Sequence, residues 1–228
     1  MFRPSKIWLA VIPIAVPAIY TIWQHRILVR RVQIKVKVDP PPDNLSLPEG
    51  ILSNKSQYVI SHEEASKAVA TNTLPTELDT NDLLTRYMRY NMSSFARSPQ
   101  SYVMWYLTKS PEARRTFQQS YIQSLDFKEG DLVCSTFKVT RRTATRVELL
   151  MNPHESYRGP VAHGMLAMGV ERRGDQTVFL HELVMWRTKS EKSTILESRW
   201  SQWIHELIVC GLVDSGSRHL QNLVMPAK

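Results

Sequence analysis

The sequence is poor in cysteine. Of 228 residues only Cys134 and Cys210 are cysteines. Neither stands in a CxxC or CxxH spacing, so no structural zinc site and no other metal site is expected. Each lies in an apolar run, where a free thiol packs as a small hydrophobe. The chain also lacks a Gly-rich phosphate loop, a dinucleotide fingerprint and a Ser-x-Gly elbow. Those absences leave no sequence basis for a cofactor. No internal repeat is found, and no basic stripe is interleaved with aromatics, so no nucleic-acid partner is expected. His62, His154, His181 and His205 each precede a glutamate, yet none has a second histidine four residues on. Metalloprotease chemistry of the HExxH type is therefore excluded.

What is present is an excess of positive charge, unevenly placed. The formal net charge is +8. Residues 1–40 hold Arg3, Lys6, Arg26, Arg30, Arg31, Lys35 and Lys37 against Asp39 alone. Charge of this kind at one end points to an anionic lipid headgroup.

The stretch Ile7–Trp23, IWLAVIPIAVPAIYTIW, carries no charge. At about 1.5 Å rise per residue it is at the short end for a membrane span. Trp8 and Trp23 fit the two interfaces, and Pro13 and Pro17 are tolerated in membrane helices. A cleaved signal peptide is the rival, with Arg3 and Lys6 as its basic start and Val16-Pro17-Ala18 as its cleavage site. The apolar run continues past Ala18, which favours a retained single-pass anchor. The positive residues after it place the following domain in the cytosol, with the endoplasmic reticulum as the expected membrane. Three N-x-S sequons, at Asn44, Asn54 and Asn91, argue for a lumenal or secreted domain instead, and carry less weight than the charge bias.

The domain organisation expected is an anchor at 1–25, a basic and Pro-rich linker at 26–56 and a folded domain at 57–224. The domain is long enough to bury a core of its own. Within it, SQYVIS reads as a strand and HEEASKAVATN as a helix capped by Ser61. A second helix is expected from Asn81 to Arg97, with Leu84, Tyr87, Met88, Asn91 and Phe95 on one face. SPEARRTFQQSYIQSL opens with Ser110 as cap and Pro111 in the first turn. The period then changes to two. Residues 131–186 read as four antiparallel strands in succession, the last hairpin turning at Gly174-Asp175. A long amphipathic helix from Ile195 to Leu220 ends the chain, with Trp200 and Trp203 on its apolar face.

This order resembles the START-like (helix-grip, SRPBCC) superfamily, and within it an uncharacterised small ligand-binding branch. The residues that carry the likeness are Gly130-Asp131 at the first meander strand, Gly174 in the hairpin, LVMWR closing the last strand, and Trp203-Ile204-His205 on the final helix. The likeness spans about residues 57–220. The segments SPEARRTFQQSYIQ and NPHESYRGPVAHG, and the N-terminal anchor, depart from it. It implies an α+β fold: an antiparallel sheet wrapped around a long C-terminal helix, here with an N-terminal transmembrane helix. An apolar cavity between sheet and helix is implied too, and the branch offers no catalytic residues to carry over.

Neighbouring residues of a strand point to opposite faces, so His181 and Glu182 cannot share one cavity. Burial raises the pKa of a glutamate and lowers that of a histidine, and either group could then exchange protons with a substrate. A hydrogen-bonded structural pair is the competing reading. His163 starts a strand at a loop mouth, and His205 lies at the margin of the apolar face of the last helix, where it could meet His163 or Glu182 across the sheet. His163, Glu182, His205 and His181 are the candidate catalytic residues; Phe137, Met165, Trp186, Trp200 and Trp203 are expected to line the cavity. The function expected is a membrane-anchored, cofactor-independent enzyme of polyketide- or terpenoid-like secondary metabolism, performing cyclisation, dehydration or isomerisation. The alternative is a non-catalytic lipid or sterol binder at a membrane surface. The partners are a hydrophobic small molecule and a membrane; the oligomeric state is not encoded in any feature identified.

Overall fold

The computed structural model describes residues 21–38, 45–159, 161–192 and 198–224. Residues 21–31 form helix α1, followed by strand β1 (Gln33–Val38), the short helix α2 (Glu49–Ser53) and the long strand β2 (Tyr58–Ala70). Four helices come next: α3 (Thr80–Ala96), α4 (Pro99–Leu107), α5 (Pro111–Arg115) and α6 (Gln119–Ser124). Strands β3 (Leu132–Val133), β4 (Phe137–Arg142), β5 (Arg146–Met151), β6 (His163–Arg173) and β7 (Gln176–Thr188) follow, and helix α7 (Arg199–Asn222) ends the described chain. The strands make one antiparallel sheet of order β1-β2-β7-β6-β5-β4-β3. The α+β class, the antiparallel sheet and the long C-terminal helix are as expected.

The transmembrane anchor is not. Among the described residues no helix is long and apolar enough to cross a membrane. Residues 1–20, most of the apolar stretch, lie outside the described residues. Its described end, Thr21–Trp23, opens α1, which carries His25, Arg26, Arg30 and Arg31. Leu28 of that helix and Val32 after it are buried in the core of the domain. The described part of this helix seats Leu28 in the protein and leaves Ile22, Trp23 and Val29 exposed, and it is too short and too charged to span lipid. The single-pass membrane location read from the sequence is corrected on the same ground. Residues 26–38, assigned to a linker, hold the rest of α1 and edge strand β1, which pairs with β2 from Gln33↔Ser66 to Val38↔Ser61.

The largest local difference lies at HEEASKAVA, expected as a helix and found in β2. Its alanines, glutamates and lysine favour a helix in isolation. Strand pairing on both sides, to β1 and to β7, overrides that preference. The stretch GDLVCSTFKVTRR is likewise two paired strands, β3 and β4, rather than one, because Cys134 (φ 49°) and Ser135 (φ 58°) reverse the chain between them. The expected hairpin at Gly174-Asp175 is observed: Arg173 pairs with Gln176, and Gly174 has φ 62°, which a two-residue turn of this hand requires.

The inner face of the sheet carries Leu166, Met168, Val170, Phe179 and Leu183 and packs on α3 and α7. Helix α3 is started by Asp79, whose side chain accepts from the Asp82 amide. Its contact with α7 is so close that a Cβ on Gly216 would sit 2.7 Å from the Tyr87 ring. Asn91 is buried at this crossing, so its sequon is closed to a glycan. The outer face is covered by residues 45–53, whose Leu45, Leu47 and Ile51 pack on Ile60, Met165, Ala167 and Val184.

Candidate functional site

Two His-Glu dipeptides on neighbouring strands generate two polar clusters, one on each face of the sheet. On β2, His62 and Glu64 point outward and Glu63 inward; on β7, Glu182 points outward and His181 inward. The register sets Glu64 beside Glu182 and Ala65 beside His181. His181 and Glu182 thus face apart, as strand geometry demands.

On the outer face Glu182 is buried. Its Oε1 accepts from His62 Nε2 at 2.7 Å, and Arg146 Nη2 donates to its Oε2. Burial alone pushes the Glu182 carboxyl up, but the hydrogen bonds and charges of His62 and Arg146 outweigh it and hold the group below its usual range. Glu148, also buried, has Arg146 Nε at 3.7 Å and Arg141 Nη1 at 3.9 Å from its Oε1. The Ser46 amide of the covering segment donates to Glu148 Oε2 at 3.4 Å. A bulge at Val139/Arg141 turns Arg141 outward to this cluster and Arg142 inward. Ligand atoms of His62, Glu64 and Glu182 lie within 4.8 Å of one another, a spacing that could hold a divalent ion. Arg146 already neutralises Glu182, so a metal would have to compete with a guanidinium.

On the inner face, His205 of α7 meets Glu63 of β2, Nδ1 to Oε2, at 3.1 Å. A carboxylate oxygen accepts, so Nδ1 carries the hydrogen and Nε2 of the neutral ring keeps a lone pair. The other Glu63 oxygen, Oε1, is buried without a hydrogen-bond partner. His181 lies deeper. Burial drives its imidazole down to about 3, with the nearby His205 pushing the same way and Glu182 opposing. Beside them His25 of α1 approaches Glu206 at 3.4 Å and packs against the Trp203 ring at 5.2 Å. The N-terminal half of α7 is less covered than the rest: Trp200 is 74% exposed and Ile204 48%.

Of the four candidate catalytic residues, His181 and His205 come together on the inner face, Glu182 stands on the other side of the sheet, and His163 is exposed at the start of β6, paired with Trp186. His205 meets neither His163 nor Glu182. The five cavity residues do not share a space either. Phe137 is in the inner core, edge-on to Phe95, whereas Met165 and Trp186 belong to the outer-face cluster and Trp200 and Trp203 to the start of α7. Among the described residues two cavities stand out. One, of about 570 Å³, opens beside α3 and β4, and the other, of about 270 Å³, beside α4 and Phe117. Neither lies between the sheet and α7. Sequence reasoning noted the His62-Glu63 dipeptide and the crowding of Arg141, Arg142 and Arg146 at a turn without placing them in a site, and it missed Glu148. Reading the His62-Glu63 stretch as a helix hid the strand alternation that sends the two side chains to opposite faces.

No family model matches this chain. No curated protein matches it. Among solved structures it is similar to the crystal structure of CalU16 from Micromonospora echinospora, at 11% identity over 86% of this chain and 99% of that one, with a TM-score of 0.31. A likeness of that size carries no argument about chemistry.

Proposed function

We propose that this protein is a START-like, cofactor-independent acid–base enzyme acting on a hydrophobic small molecule of the polyketide or terpenoid kind. The observation that carries this reading is the inner-face pair His205–Glu63, with one glutamate oxygen buried and unpartnered beside a desolvated His181. Buried polar groups without partners are costly, and perturbed ones gather at functional sites. The His205 ring is oriented through Nδ1, so its Nε2 is the base. It takes a proton from a substrate C–H or O–H, Glu63 stabilises the imidazolium, and the same proton returns to another substrate atom. Cyclisation, dehydration and isomerisation all reduce to such a transfer. His181 stays neutral and serves as a polar wall. Trp203, Trp200 and Ile204 give the substrate an apolar ledge.

The packed core behind the pair favours a second reading, a non-catalytic binder of lipid or sterol on the same ledge. Native mass spectrometry of the purified full chain identifies what it carries, and tryptophan fluorescence reports binding near α7. With the recovered ligand as substrate, His205→Ala and Glu63→Gln are each expected to lower turnover by about a hundredfold or more while binding persists. Unchanged turnover in both variants removes the catalytic assignment. Binding without any turnover in the unaltered protein leaves the binder.

A further inference from the structure

The 570 Å³ cavity lies on the inner side of the sheet near its β4 edge, several strands from His205. Its walls differ from those expected of an apolar ligand pocket. Four cations, Arg86, Arg89, Lys128 and Arg142, face two carboxylates, Asp82 and Asp126. The formal balance of that lining is therefore positive by two charges.

Two of the guanidinium groups are fixed in place. Arg142 Nη2 donates to Asn81 Oδ1 at 2.8 Å and to Thr85 Oγ1 at 2.7 Å, and its Nη1 donates to the Asp126 carbonyl. Arg89 Nε donates to the Leu125 carbonyl at 2.9 Å, and its Nη2 to Asp126 Oδ1 at 3.2 Å. Lys128 Nζ is 3.7 Å from Asp126. Arg86, one turn before Arg89 on α3, makes no hydrogen bond or ion pair with any described residue. Asp126 is thus shared by two cations, while Arg86 brings an uncommitted planar fork to the same cavity. The Arg142 guanidinium, held only by a carbonyl, an amide and a hydroxyl oxygen, keeps its charge uncompensated, as does the unpaired Arg86, which suits recognition of phosphate oxygens; Arg89 shares its charge with Asp126.

We propose that this pocket binds a small molecule bearing a phosphate or pyrophosphate group. Arg86 and Arg89 grip the anion. Arg142 supplies a fixed positive floor. The Asp82 carboxylate accepts from hydroxyls of the rest of the ligand, and adds affinity for a polar compound beyond that of the bare anion. This site shares no residue with the His205 pair and stands or falls independently of it.

The test uses the full chain and inorganic pyrophosphate, followed by calorimetry and by the rise in melting temperature that a native-state ligand produces. Saturable binding is expected, weaker for inorganic phosphate and weaker at high salt. Arg86→Ala is expected to lower affinity by about tenfold or more with an unchanged melting temperature in the absence of ligand. Arg86→Lys should fall between the two, since an ammonium keeps the charge and loses the fork. Vesicles containing phosphatidic acid provide the second arm. Binding to vesicles without binding to pyrophosphate overturns the small-molecule assignment in favour of a lipid headgroup. Absence of binding to both pyrophosphate and vesicles, or equal affinity in Arg86→Ala and the unaltered protein, overturns the site itself.

Discussion

The two faces of the β2–β7 strand pair receive the same residue types and do opposite things with them. Outside, His62 and Glu182 are bonded to each other, Arg146 closes the pair, and Glu148 takes the remaining positive charge. Inside, Glu63 holds His205 with one oxygen and leaves the other bare, beside a histidine that burial keeps uncharged. The outer cluster is paired charge under a cover, with one buried donor, Arg146 Nε, left without a hydrogen bond between its two carboxylates; the inner one leaves a buried acceptor, Glu63 Oε1, bare at a partly open seam. Residue identity therefore does not separate a structural cluster from a reactive one. What separates them is the kind of valence left open: outside a donor held between two carboxylates, inside a carboxylate oxygen with no cation beside it among the described residues.

The comparison breaks most sharply at Arg146. Removing one partner from a buried ion pair strands the other charge, so Arg146→Ala is expected to cost about 3–5 kcal/mol of stability. Chemical denaturation at neutral pH measures it. A loss below about 1 kcal/mol would mean that water reaches Glu182 and that the outer cluster is not held by its ion pairs.

Acid sharpens the contrast from the inner side. His181 is protonated at about pH 3 in the fold and nearer its ordinary value of 6.5 when the chain is unfolded. Between those values the unfolded state binds more protons, so stability is highest above pH 6.5 and falls as the pH is lowered. One such group gives a slope of up to about 1.4 kcal/mol per pH unit. Glu182, held below its usual range, adds a loss at lower pH, below its ordinary value of 4.5. Unfolding curves taken from pH 7 down to pH 5 carry the histidine contribution, to which His219, also held down by burial, adds with the same sign. In His181→Asn the slope over that interval should shrink, whatever the variant's stability at pH 7; an unaltered slope would place the titrating group elsewhere.

Much of this arrangement was legible before the structure. The meander, the Gly174 turn, α3 and α7 follow from period and turn chemistry, because their partners are near in sequence or their pattern is regular. The opposition of His181 and Glu182 follows from pleat alone. What stayed hidden depends on distant partners. Glu63 and Lys67 face the core side of β2 only because His205 and Asp214, both on α7, receive them. Locally those residues spell a helix. The reversal at Cys134 and Ser135 was hidden for a similar reason: neither is a glycine, and the Ser135 amide is instead held by the Thr116 hydroxyl at 2.7 Å. The apolar N-terminal stretch read as a membrane span, while the helix into which it runs is bound to the domain by Leu28 and the His25–Trp203 contact.

Glu63→Gln tests the inner face by stability as well as turnover. The amide oxygen can still accept from His205, and the bare carboxylate oxygen is exchanged for a neutral donor. The expected change is within about 1 kcal/mol in either direction, because an orphaned charge is removed along with a charge-assisted bond. A loss comparable to that of Arg146→Ala would show Glu63 to be as deeply compensated as Glu182, and the distinction between the faces would disappear.

The smallest effect is expected at the rim of the outer cluster. Lys35 Nζ lies 3.6 Å from Glu64 Oε1, and the lysine side chain is largely in water. An exposed pair of this kind contributes about 0–1 kcal/mol, so Lys35→Ala should change stability by less than about 0.5 kcal/mol and become invisible in high salt. The result bears on more than the pair. Glu64 sits directly across from Glu182, and like charges in that position repel. If Lys35→Ala costs several times the expected amount, the repulsion between the two glutamates is not absorbed by Arg146 and solvent. The outer face then carries excess negative charge at His62, Glu64 and Glu182, the three groups whose spacing could admit a divalent cation. A small effect fixes the outer cluster as closed, with its charges paired, and leaves the inner seam as the face whose open valence is a proton acceptor, Glu63 Oε1.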